Sequence, residues 1–313
     1  MFQVRTDLAL ESKEKFDKDN VEIKGVRVEE EQVSQEIHIT RVYIDTENGA
    51  RTMGKPRGSY ITLEAMNMLE EDESYHREVS EELAKIVRTM MPKKKQDMSV
   101  LIVGLGNRKV TPDALGPNVV DNIMITRHIV REFGKYALEN PKVKIVSAIV
   151  PGVMAQTGME SSEIISGVIA ETKPDLVVVV DALAARSVRR LNRTIQITDT
   201  GINPGSGVGN HRHAINKESV GVPVIAIGIP TVVDAATIVS DTMNELITEM
   251  NRSQTLNHVG NALSGLDDIE KHELARELLS PNLNAMFVTP KDIDEAVKRL
   301  SYTVSEGLNL AFS

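Results

Sequence analysis

Two aspartates stand where an open α/β sheet would place catalysis. Asp113 lies in Gly104-Leu105-Gly106-Asn107-Arg108-Lys109-Val110-Thr111-Pro112-Asp113-Ala114-Leu115-Gly116, the segment that follows the apolar run from Val100. Asp181 directly follows Val177-Val178-Val179-Val180 and is expected to terminate that strand. Loops leaving the carboxyl ends of parallel strands converge on one edge of the sheet, where ligands bind. Two carboxylates brought close together there cannot both ionise comfortably, so they share a proton and titrate as a unit. One can take a proton from water while the other polarises a carbonyl, the division of labour of aspartic peptide hydrolysis. Taken singly, an Asp at a strand end is more often a turn former or a helix N-cap. The chemical reading therefore requires both side chains to face one crevice.

Other motifs carry less. Gly104-Leu105-Gly106 begins like a dinucleotide fingerprint, but Lys109 occupies the place of the third glycine, and there is no P-loop sequence. The Gly-rich stretch Gly201–Asn210 reads as a loop, either a plain connection or a set of backbone N–H groups lining a substrate site. Asp199-Thr200-Gly201 matches the aspartic-protease tripeptide once, where a bilobal enzyme needs it twice, so Asp199 reads as a turn residue. His211-Arg212-His213 could offer two imidazoles to a metal, although a solvated polar loop is the commoner use of such a segment. Gly205-Ser206-Gly207 is not a Gly-x-Ser-x-Gly nucleophile elbow.

The elements that must position these residues follow from pattern. Residues 21–65 alternate apolar and polar, as at Val26 and Val28, Ile37 and Ile39, Val42 and Ile44, and predict short strands. Residues 73–91 predict an amphipathic helix with Val79, Leu83, Ile86, Val87 and Met90 on one face. From Ser99 onward strands and helices alternate. Strands are expected at 100–105, 143–150, 176–180, 194–198 and 222–227, and helices at 117–138, 160–172 and 231–250. Pro230 reads as a helix start, and Thr289-Pro290 as the start of a helix over 290–308. The fold class is a three-layer α/β/α unit with a largely parallel sheet. Residues 1–20 form an N-terminal segment and 21–313 a single domain, divided into a small β region (21–65), an α/β core (99–252) and C-terminal helices (253–313).

Composition narrows the function. The 313 residues contain no cysteine, which excludes disulfide scaffolds, thiolate metal sites and cysteine nucleophiles. A formal net charge of −9 and 3% aromatic residues argue against phosphate-backbone binding and base stacking. There is no apolar stretch of membrane-spanning length and no signal-peptide pattern at the N-terminus, so a cytoplasmic location is expected.

Several ordered motifs resemble the germination protease of spore-forming bacteria. They are Val100–Gly116, Pro151–Glu160, Val180-Asp181-Ala182-Leu183-Ala184-Ala185-Arg186-Ser187, Gly201–Asn210 and Pro230-Thr231-Val232-Val233-Asp234-Ala235, within a likeness running from about Val4 to the C-terminal helix. The resemblance implies an atypical aspartic endopeptidase, related in fold to hydrogenase-maturation endopeptidases, with Asp113 and Asp181 catalytic and no cofactor. It also implies small acid-soluble spore proteins as substrates, cleavage after an acidic and before an apolar residue, a homotetrameric zymogen, and a location in the spore interior. Arg5-Thr6-Asp7-Leu8-Ala9-Leu10-Glu11 resembles the cleaved context and places self-processing between Asp7 and Leu8. Gly106 and Asn107 are expected to bind substrate, and Arg186 to hold its acidic side chain, with Arg189, Arg190 and Arg193 also near in sequence. The equivalent carboxylates of the hydrogenase-maturation relatives bind nickel. A metallopeptidase using Asp113, Asp181 and His211 or His213 is therefore one alternative, and a non-catalytic peptide-binding protein is another.

Overall fold

The computed structural model describes residues 23–92, 97–138, 140, 142–185, 187–205, 213–266, 270, 271, 274, 277 and 286–313. Period-two alternation in its strands decides where each side chain goes. Strands β1 (Val26–Gln32) and β2 (Ile37–Ile44) form a hairpin, and helix α1 (Glu47–Met53) leads to β3 (Gly58–Ala65). Helix α2 (Glu73–Met90) precedes β4 (Ser99–Gly104). A 3-10 turn (Thr111–Asp113), α3 (Leu115–Asp121) and α4 (Arg127–Phe133) lead to β5 (Ile145–Ile149). Then come α5 (Met154–Thr157), α6 (Ser161–Thr172), β6 (Leu176–Ala185), β7 (Thr194–Thr198) and α7 (Lys217–Val220). They are followed by β8 (Val224–Asp234), α8 (Ala235–Arg252), α9 (Asn257–Ser264), β9 (Phe287–Val288) and α10 (Ile293–Phe312).

Among the described residues all nine strands belong to one sheet, ordered β1-β2-β3-β7-β8-β6-β4-β5 with β9 beside β8. The core strands β8, β6, β4 and β5 run parallel, whereas β1, β2, β3 and β7 are antiparallel and join the core through β7 and β8. Residues 26–65 thus extend the core sheet instead of standing beside it.

On one face Val100, Ile102, Val178, Val180, Ile225 and Ile227 pack with Val79, Leu83 and Val87 of α2 and with Leu300, Val304 and Leu308 of α10. On the other, Leu101, Val103, Val177 and Val179 pack with Ile165 and Ile169 of α6. Each such side chain contributes roughly 1.5–3 kcal/mol when fully buried, so both helical layers are held by the same alternation. α2 begins where predicted because the Asp72 carboxylate accepts from the N–H groups of Ser74 and Tyr75, at 3.0 and 3.1 Å. Among the described residues no helix is long and apolar enough to cross a membrane.

Several boundaries differ from the sequence expectation. The helix over 117–138 is broken, because Thr126 between α3 and α4 is tied to the sheet edge. Its hydroxyl donates to Lys144 O at 2.7 Å and accepts from Val146 N at 2.8 Å. Pro230 lies inside β8 and starts no helix. The register of β6 against β8 shifts next to it, with Leu183 opposite Pro230 and Ala184 opposite Val232, so Thr231 is the extra residue of a bulge that tolerates the proline. The last helix begins at Ile293, after Asp292, and not at Pro290.

Glycines report the tightness of this packing. A Cβ at Gly116 would collide with the carbonyl oxygens of Leu105 and Val180, whereas one at Gly167, in the middle of α6, would meet nothing within 4 Å. Gly116→Ala is expected to lower stability by about 1–3 kcal/mol in urea unfolding. Gly167→Ala should raise it by about 0.5–1 kcal/mol, and a fall for Gly167→Ala with no change for Gly116→Ala would contradict this packing.

Candidate active site

β4 stops at Gly104, opposite Val180, while β6 continues to Ala185 beside β8. Asp181 therefore sits within β6, and what ends at this level is its neighbour. The expectation that Asp181 terminates its own strand failed because Asp181–Ala185 contains no breaker and gains ladder pairing with β8. Past Gly104 the chain crosses the sheet edge in close contact. Leu105 N donates to Val180 O at 2.8 Å, and a Cβ at Gly104 would run into the Gly116 carbonyl. Gly106 adopts φ +115°, where a side chain is strained and would strike the carbonyl oxygen of Asp113.

That loop presents Asp113 at the end of the 3-10 turn. Asn107 N donates to Asp113 O at 3.0 Å, and Asp113 N donates to Val110 O at 2.8 Å. The buried Thr231 hydroxyl donates to Pro112 O at 2.7 Å, so the bulge in β8 fastens the turn. Thr289 in turn donates its hydroxyl to Thr231 O at 2.9 Å.

Asp113 and Asp181 line one cavity of about 530 Å³, Asp181 buried and Asp113 half-buried. Its wall includes Gly106, Val110 and Pro112 from the loop after β4, Ala182–Ala184 from β6, and Thr200–Gly205 beyond β7. The sheet supplies a polar floor, because Gln196, Gly228 and Asp181 are in register across β7, β8 and β6 and so share one face. Gly228 contributes no side chain, and Leu183 packs in the space a Cβ would take.

Lys55, Tyr60 and Gln196 also line the cavity, and pattern reading did not select them. Lys55 is the basic residue among the described cavity residues, and its ammonium suits a carboxylate ligand. It follows Gly54, the left-handed cap of α1, and an isolated Lys in a turn gives no sequence signal. Gln196 did give one, as a polar residue between Ile195 and Ile197 of a buried strand. The Tyr60 hydroxyl donates to Pro56 O at 2.9 Å. Its pKa is pushed up to about 12, chiefly by burial and further by the Asp199 charge, against a lowering hydrogen bond with Thr200.

Of the other residues named from sequence, Gly106 lines the cavity and Asn107 does not. The Asn107 side chain instead accepts from Lys109 N at 3.0 Å and from Gln156 Nε2 at 2.9 Å, joining two loops. Arg190 is buried and faces Glu64 at 3.4 Å. Asp199 lies at the turn after β7 and accepts from Ser59 N at 2.8 Å. Asp7, Leu8, Arg186 and His211 lie outside the described residues. Among the described residues no group of three or more His, Asp or Glu side chains is placed to hold a metal ion.

His213 is tied to Glu160 at 2.7 Å, at the N-cap of α6. The hydrogen bond and charge of Glu160, helped by Glu163, raise the His213 pKa, and the same bond lowers that of Glu160. The tie is thus complete between the ordinary carboxylate and imidazole ranges. It is lost as pH rises through the raised His213 value or falls through the lowered Glu160 value. A proton NMR titration should place His213 above the ~6.5 of a free imidazole, and Glu160→Gln should return it there. An unchanged midpoint in the variant would remove the pair.

The family model for germination protease matches residues 4–264. The chain is 48% identical to the germination protease of Caldanaerobacter subterraneus subsp. tengcongensis, over 98% of this chain and 94% of that one. It is 44% identical to that of Clostridium perfringens, over 99% and 95%, and 42% identical to that of Bacillus velezensis, over 99% and 93%. Among solved structures, a [NiFe] hydrogenase maturation protease, HycI from Thermococcus kodakarensis KOD1, aligns with 24% identity and a TM-score of 0.29 over 47% of this chain and 80% of that one. With a family match over most of its length and full-length relatives well above 30% identity, this chain belongs to the germination protease family.

Proposed function

We propose that this protease is an aspartate-dyad endopeptidase that degrades small acid-soluble spore proteins during germination. The observation that carries the reading is that Asp113 and Asp181, delivered by a loop and by a strand far apart in sequence, line one cavity in a chain of this family. In the reaction one carboxylate removes a proton from water as its oxygen attacks the peptide carbonyl carbon. The other, protonated, donates to the carbonyl oxygen. Collapse of the tetrahedral intermediate breaks the C–N bond, and the amine leaves with the proton first taken from water. No cofactor is required.

Cleavage after an acidic and before an apolar residue, and self-processing of a zymogen between Asp7 and Leu8, belong to the same proposal, as do a homotetrameric assembly and action in the spore interior. Arg186 follows β6 directly, and Lys55 lines the cavity, so either can meet the acidic side chain of a substrate.

Incubation of the chain followed by mass spectrometry should yield a new terminus at Leu8. Asp113→Asn and Asp181→Asn should each slow that cleavage by about 10²–10⁴-fold, the usual worth of acid–base groups. Normal processing in both variants would dismiss the dyad, and intact substrate with the parent chain would favour a peptide-binding role. Hydrolysis is expected to persist undiminished in a strong chelator; its loss, with recovery on adding a divalent ion, would establish the metallopeptidase alternative.

A further inference from the structure

A peptidase must hold a polypeptide while one bond is cut, and β6 offers the means. From Val177 to Val180 this strand is flanked on both sides, by β8 and by β4. From Asp181 to Ala185 it pairs with β8, and among the described residues no strand pairs with it on the β4 side. Successive peptide groups of an extended strand point to opposite edges. Val177 N donates to Pro223 O beside β8, and Leu105 N donates to Val180 O beside β4. Odd-numbered residues therefore serve the β8 edge and even-numbered residues the other. Ala182 turns its main-chain groups toward the edge that β4 has left. Ala182 N donates to Asp181 Oδ1 at 2.9 Å, so on that edge its carbonyl oxygen is the group that accepts. Ala182, Leu183 and Ala184 line the same cavity as Asp113 and Asp181.

We propose that the substrate polypeptide binds as an extended strand added to this edge of β6, with a main-chain N–H donating to Ala182 O and the adjoining peptide carbonyl lying beside Asp181. The inference rests on the peptidase reading and specifies its substrate class: a segment free of helical structure, recognised through its backbone. Added strands gain affinity from main-chain hydrogen bonds and selectivity from alternate side chains. A helical segment has already used its N–H groups internally and cannot pair in this way.

The probe is a peptide reproducing residues 3–14 of this chain, with variants that each carry a single N-methyl amide. Binding is measured by fluorescence anisotropy with the full chain carrying Asp113→Asn and Asp181→Asn. Asparagine keeps an oxygen able to accept from Ala182 N. Hydrolysis of the same peptides by the parent chain is followed by mass spectrometry. N-methylation is expected to weaken binding by about tenfold at one amide, or at amides two residues apart, with the intervening amides tolerated within about twofold. Equal tolerance at every position, equal loss at neighbouring positions, or no binding would overturn strand addition. Alternating loss without hydrolysis by the parent would overturn the peptidase reading and keep the binding mode; hydrolysis with uniform tolerance would do the reverse.

Discussion

The site depends on a backbone crossing that leaves no room for a carbon atom. Where β4 ends, the chain turns over the edge of the sheet and returns as α3, and Gly104 and Gly116 bring the main chains of β4, α3 and β6 into direct contact. Interiors packed at this density transmit displacement and do not absorb it. A side chain at either glycine would push the loop after β4 outward and carry Asp113 with it. The position of Asp113 on the cavity wall is thus set by residues with no side chain at all.

The two faces of the sheet serve different ends. One is apolar along its length and covered by α2, α3 and α10, so it fixes the strands relative to one another. The other is apolar under α6 and again under α1, where Val42, Ile44 and Tyr60 pack with Met53, and it turns polar between them at Asp181, Gln196 and Thr198, where the cavity lies. Because direct partners in a ladder share a face, one shift of register would move Gln196 and Asp181 apart and bury polar groups in the dry layer. The apolar face thereby enforces the alignment of the polar one.

Much of this was legible in the residues. Apolar runs and alternation located the strands, the amphipathic helix α2 ends within one residue of its expected limit, and both aspartates were singled out from strand context. What escaped depended on partners distant in sequence. Nothing local shows that β6 continues past Asp181, since the continuation is stabilised by pairing with β8. Pro230 carries a helix-start signal that the bulge at Thr231 overrides. Thr126 breaks a helix through bonds to the backbone of residues 144 and 146. Lys55 reaches the cavity through the placement of a turn, which composition does not encode.

The hydroxyl chain from Pro112 through Thr231 to Thr289 has a consequence for biosynthesis. Residues 112 and 113 emerge from the ribosome long before residue 289, and α2 waits still longer for α10 to cover it. The cleft is closed by parts made at widely separated times, so a nascent chain carries both carboxylates well before it can align them. The cavity is in this way left incomplete until translation has passed Phe287 and Thr289, which form part of its wall.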